Sequence, residues 1–114
     1  WNRKDYRDAS EQVQAHLRSD PGNLDALRLM ANVAGKLQGE RAARPWLERA
    51  LAQTPRLSKA RIELLEQLDR KKEAVALVEE LRTQSPGDRN LAVIHARLLI
   101  ANGQPGRAQQ VLQP

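Results

Sequence analysis

Ser19-Asp20-Pro21-Gly22-Asn23-Leu24 is a proline turn between two charged segments whose apolar residues recur at helical spacing. The same arrangement returns twice, at Gln53-Thr54-Pro55-Arg56 and at Gln84-Ser85-Pro86-Gly87, so the three prolines stand 34 and 31 residues apart. A fixed period of this size marks a chain built from repeated helical units rather than a fold assembled once. Such units stack on their neighbours to bury a shared core, and they are used for the surface they present.

Working outward from Pro21, the segment after it carries Leu27, Met30, Ala31 and Ala34 at helical spacing; Gly39 breaks it, and Ala43, Leu47, Ala50 and Leu51 form a second stripe. This predicts a helix pair over residues 24–38 and 41–53. After Pro55 the scheme repeats with Ile62, Leu64, Leu65 and Leu68, then Ala74, Leu77, Val78 and Leu81. The unit is three residues shorter, and the loss is expected in the turn at Asp69-Arg70-Lys71. After Pro86 come Ala92, Val93, His95, Ala96 and Leu99, stopped by Asn102-Gly103, a pair suited to the left-handed conformation that closes helices. Pro105 stands where a following helix would begin and its missing N–H costs little. Pro45 is a turn into its helix, which predicts a late start near Ala42 or Ala43, or a bend.

Composition agrees with an all-α chain. Leu, Ala, Arg, Gln and Glu dominate and Phe is absent, with none of the β-branched and aromatic runs that make strands. With no cysteine, disulfides, thiolate zinc sites and cysteine nucleophiles are excluded. No apolar stretch approaches the roughly 20 residues of a membrane span. The net charge of +5 is spread with alternating sign along the helices, as on solvated helix surfaces.

In these positions the chain resembles the tetratricopeptide repeat family, a helix-turn-helix unit of 34 residues. The resemblance rests on Leu27, Met30, Ala31, Ala34, Ala43, Leu47 and Ala50 in one unit and on Leu64, Leu65, Leu68, Ala74, Val78 and Leu81 in the next. Ala96, Leu99, Gly103, Ala108 and Leu112 carry it in the last, and Tyr6-Arg7-Asp8-Ala9 matches the family's common start of a second helix. It implies a right-handed α-solenoid of about seven helices: a second helix over 1–21, full repeats over 24–55 and 58–86, and a repeat with a truncated second helix over 89–114. Arg61, where a large apolar residue is usual, His95 for leucine, and His16 and Leu81 for alanine depart from the pattern. The half-units at both ends, without polar caps, predict a piece of a longer array.

Chemistry in the sequence is sparse. His16 and His95 stand apart from any metal or triad spacing, and Glu63 and Glu66, three residues apart, sit among basic residues as in a salt-bridged helix face. No cofactor, metal or catalytic residue is expected, and the reading is non-enzymatic. The resemblance places a partner-binding groove on the first helix of each pair, formed by Arg28, Leu29, Asn32 and Lys36, by Lys59, Ile62, Glu63, Glu66 and Arg70, and by Val93, Ile94 and Arg97. Arg28 and Asn32 resemble half of the clamp with which some members of the family grip C-terminal carboxylates, but Glu63 and Ile94 stand where asparagine and a basic residue would complete it.

The expected partner is therefore another protein, with self-association through the uncapped ends as a further expectation. Trp1, Tyr6 and Trp46 are the only aromatic residues and none is expected in the groove, which argues against nucleic acid or sugar stacking there. An Arg-rich, cysteine-free segment of this kind is also similar to the periplasmic arrays of bacterial exopolysaccharide export proteins of the Pel and cellulose types. That resemblance implies a periplasmic scaffold, ahead of an outer-membrane barrel, that recruits polysaccharide-modifying enzymes and guides polymer. The alternatives are direct binding of an anionic polymer or polysaccharide by the basic surface, and a cytoplasmic adaptor.

Overall fold

A computed structural model describes residues 2–113; Trp1 and Pro114, at the outer edges of the expected half-units, lie outside them. The described residues form seven α-helices and no strand: α1 (Arg3–Ser19), α2 (Leu24–Gln38), α3 (Glu40–Gln53), α4 (Lys59–Gln67), α5 (Lys71–Gln84), α6 (Arg89–Ala101) and α7 (Pro105–Leu112). The chain divides into two compact units, one ending at Thr54 and the other beginning at Pro55. In the first, α2 packs against α1 and α3; in the second, α5 packs against α4 and α6, and α6 against α7.

The helices start in two different ways. Helices α2, α4 and α6 follow the proline turns, and each is capped by a side chain: Asn23 accepts from the Ala26 N–H at 3.0 Å, Ser58 from Arg61 at 3.2 Å and Asp88 from Leu91 at 3.2 Å. Each cap satisfies an amide that the helix cannot pair internally. Helices α3, α5 and α7 have no side-chain cap and follow tight turns in which one residue has positive φ: Gly39 (90°), Asp69 (60°) and Gly103 (77°). Behind α4 and α6 the closure is the same. Arg70 N–H reaches the Leu65 carbonyl and Gln104 N–H the Leu99 carbonyl, both at 2.8 Å, a six-residue back-bond that uses carbonyls left over at a helix end.

The caps correct the register counted from the prolines. Asn23 and Asp88 lie two residues after Pro21 and Pro86, but Ser58 lies three after Pro55, because Arg56-Leu57 fills a place held elsewhere by a single glycine. One residue is about 100° around a helix. Ile62, not Arg61, thus stands four residues beyond its cap, as Leu27 does in α2, and both are buried.

The missing three residues are also not where the sequence placed them. The α4–α5 connection is three residues long against the lone Gly39 between α2 and α3, whereas α4 has nine residues and α2 has 15. The second unit's first helix is thus six residues shorter, more than one and a half turns, and the longer connection with the extra residue before Ser58 makes up half of that loss. Nor does α3 start late, since it begins at Glu40 with Pro45 inside it. The bond forgone there is the one to the carbonyl of Arg41, an exposed residue.

Core positions alternate large and small. Leu27, Met30, Leu47 and Leu51 are buried with Ala31, Ala34 and Ala50 in the first unit, and Leu64, Leu65, Val78, Leu98 and Leu99 with Ala74, Ala96 and Ala108 in the second. Small residues let the helix axes approach while leucines fill the remaining volume. Gly35 shows how close the approach is, because a Cβ there would lie 3.6 Å from that of Ala43.

Candidate functional site

On α2 the exposed residues Asp25, Leu29, Asn32 and Lys36 follow one another at helical spacing, with Arg28 half-buried beside them. Leu29 is 52% exposed. It stands on the rim of a cleft of about 410 Å³ between α1 and α2, lined also by Val13, His16, Asp25 and Ala26. The first unit therefore offers an apolar lip with a carboxylate and an imidazole at its edge. The four groove residues expected on α2 all lie on this helix, three exposed and Arg28 half-buried.

In the second unit the expected residues divide. Ile62 is not on a surface: it is 1% exposed, turned inward by the one-residue register difference. Arg70 is not on α4 either. It lies in the turn, since α4 lacks the final turn that carries Lys36 in α2, and its guanidinium makes a two-pronged bond to Glu73 at 2.9 and 2.7 Å.

Three others, Lys59, Glu66 and Arg97, form side-chain links along α4 and α6. Lys59 Nζ lies 3.3 Å from Asp88 Oδ2, and the Arg97 guanidinium donates to both oxygens of Glu66 at 2.5 and 2.9 Å. The Glu66 bond holds the Arg97 guanidinium above its usual pKa, with the nearby Glu63 adding to the effect. These links join the first helices of two successive helix pairs.

Val93 is 57% exposed, and Ile94 is half-buried. Val93 borders a cleft of about 640 Å³ with Arg82, Asp88, Arg89, Ala92 and Leu112. The sequence reading missed Ile100 and Leu112, both more than half exposed. Ile100 was visible in principle, because Val93, Arg97 and Ile100 follow the i, i+4, i+7 rule of one helix stripe.

The other polar constellation surrounds His95, buried between α5 and α7. Arg82 Nη1 lies 3.0 Å from His95 Nδ1. Guanidinium nitrogens only donate, so Nδ1 is the acceptor and the ring proton resides on Nε2. Among the described residues Nε2 meets no acceptor in good hydrogen-bond geometry; Glu79 Oε1 is 3.5 Å away, and Arg107 Nη2 is 3.5 Å from that same oxygen. Burial is the main influence lowering the His95 pKa; Arg82 and Arg107 work in the same direction and Glu79 against them.

Among the described residues no group of three or more His, Asp or Glu side chains is placed to hold a metal ion, and no helix is long and apolar enough to cross a membrane. No family model matches the chain, and no curated protein matches it in sequence.

Proposed function

We propose that the chain is a non-enzymatic scaffold of tetratricopeptide type that holds a protein partner on the faces of its capped helices. The observation that carries this reading is the pair of exposed apolar residues, Leu29 and Val93, each at the lip of a cleft and each flanked by charge. An apolar anchor set in a polar rim is the usual anatomy of a protein contact. A carboxylate-terminated peptide suits the α4–α6 face poorly, since Glu63 is exposed there and Glu66 already occupies the Arg97 guanidinium.

Within that reading the partner is a polysaccharide-modifying enzyme and the setting the periplasmic array of an exopolysaccharide exporter of Pel or cellulose type. The support is the family resemblance, the arginine-rich surface and the absence of cysteine. Leu29→Asp and Val93→Asp place charge on exposed sites, so they should leave helicity unchanged while abolishing capture of such an enzyme by the full-length protein. Capture that survives both substitutions refutes these faces as the contact. Retention of an anionic polymer instead, with affinity falling steeply as salt rises, would favour direct electrostatic binding.

A further inference from the structure

We propose that His95 is an acid-sensitive latch that holds α6 between α5 and α7 and loosens the second unit when its ring takes up a proton. The geometry gives the ring one place to accept that proton. Nε2 already carries a hydrogen, and the Nδ1 lone pair is engaged by Arg82 at 3.0 Å. Protonation at Nδ1 removes the acceptor, breaks that bond and sets a second cation against the guanidinium in a site where His95 is only 5% exposed.

The charged groups facing the ring are Glu79 and Arg82 from α5 and Arg107 from α7. Glu79 is the sole anion among them, and it is shared, because Arg107 lies as close to Oε1 as His95 does. An imidazolium is thus poorly compensated, whereas the neutral ring bridges α5 and α6. The unfolded chain takes up the proton first, near the ordinary histidine value of about 6.5, and the folded unit only at lower pH. Between those points the unfolded state binds more protons, so stability falls as pH falls; below the folded midpoint there is no further loss. Because α6 also presents Val93 and Arg97, the loosening reaches the face proposed to hold a partner. The latch is tested without any partner, so it stands or falls separately from that reading.

The test combines a proton NMR titration of the two histidine rings with hydrogen-exchange protection of the α5–α7 amides across the same pH range, on the intact chain. His95→Leu removes the latch with an apolar side chain, and Arg82→Gln keeps an amide donor to Nδ1 while removing the like charge. The expected results are a His95 midpoint below about 6.5 and protection that drops on acidification. The drop should equal ten raised to the displacement of that midpoint, tenfold for each unit. His95→Leu should abolish the drop, and Arg82→Gln should raise the midpoint and shrink it. A midpoint at or above 6.5, an identical drop in His95→Leu, or a midpoint unmoved by Arg82→Gln would each overturn the proposal.

Discussion

Replacing Asp69 by glycine should stabilise the protein, although it removes a side chain and an ion pair. Asp69 has φ of 60° in the turn between α4 and α5, where the corresponding turns have Gly39 and Gly103. The left-handed conformation costs an L-residue roughly 1–2 kcal/mol, and aspartate pays less because its short polar side chain bonds locally. Glycine pays nothing for the conformation but loses more backbone entropy on folding, roughly 0.5–1 kcal/mol. The contact surrendered, Asp69 Oδ1 to Lys71 Nζ at 3.7 Å with the aspartate side chain 80% exposed, is worth little.

The net expectation is a gain of about 0.5 kcal/mol, a shift of roughly 0.3–0.5 M in the urea midpoint at the slopes usual for units of this size. Asp69→Ala should move the midpoint the other way, since alanine keeps the Cβ clash without the short polar side chain that eases this conformation for aspartate. The assay must be far-ultraviolet circular dichroism, because Trp1, Tyr6 and Trp46 all precede the second unit and fluorescence is blind to it. A glycine variant no more stable than the parent, or an alanine variant shifted in the same direction as the glycine one, would refute the strain argument.

Pro45→Ala restores an amide donor within α3 and should stabilise the first unit by about 1 kcal/mol, less than the full cost of an interior proline because the site is near the helix start and the free chain gains entropy; a lowered melting temperature would contradict this. A double-mutant cycle on Glu66→Ala and Arg97→Ala should return a coupling of about 0.5–1 kcal/mol, the upper range for a half-exposed pair with two-pronged geometry, and a coupling indistinguishable from zero would remove the α4–α6 link. Asp88 is held below the ordinary carboxylate pKa chiefly by the Leu91 N–H it accepts and further by Lys59. Its contribution is therefore full above the unfolded value and lost as pH falls through the folded one, so the first turn of α6 should fray in acid. Asp88→Asn, which keeps the acceptor without titrating, should flatten that acid limb; an unchanged limb would exclude the cap as its cause.

Legibility in the sequence followed the range of the forces involved. Helix content and the leucine–alanine core are set by residues within a turn or two of one another, and spacing alone revealed them, whereas the start of α3 and the early end of α4 were misplaced. The face of α4 was misjudged because the count began at Pro55, whereas a helix is phased by its first capped turn, and the single inserted residue at Arg56-Leu57 lies between the two. Ile62 moved from surface to core, and the displacement also explains Arg61, whose apolar place Ile62 had taken. The His95 cluster and the Glu66–Arg97 link join residues 13 to 31 positions apart, on helices whose rotation must be known before a partner can be named. Composition carries no trace of such pairs.

The two units use their capped helices differently, and this bears on what each can recognise. On α2 the exposed stripe runs through an apolar residue with polar neighbours, and its cleft is bordered by α1 within the same unit. On α4 the apolar residue has turned inward and the charges are spent on α6: Lys59 on Asp88, Glu66 on Arg97. A partner meeting α4 would have to break those links and pair the released charges anew, which costs about what it returns at partly exposed sites. Under the proposed scaffold reading, contact energy in the second unit would come from the apolar stripe of α6, Val93 with Ile100, while the paired charges help to set the spacing of the helices that present it. Substituting Arg97 should accordingly disturb binding through the position of α6, with an effect that Glu66→Ala reproduces, whereas Val93→Asp acts alone.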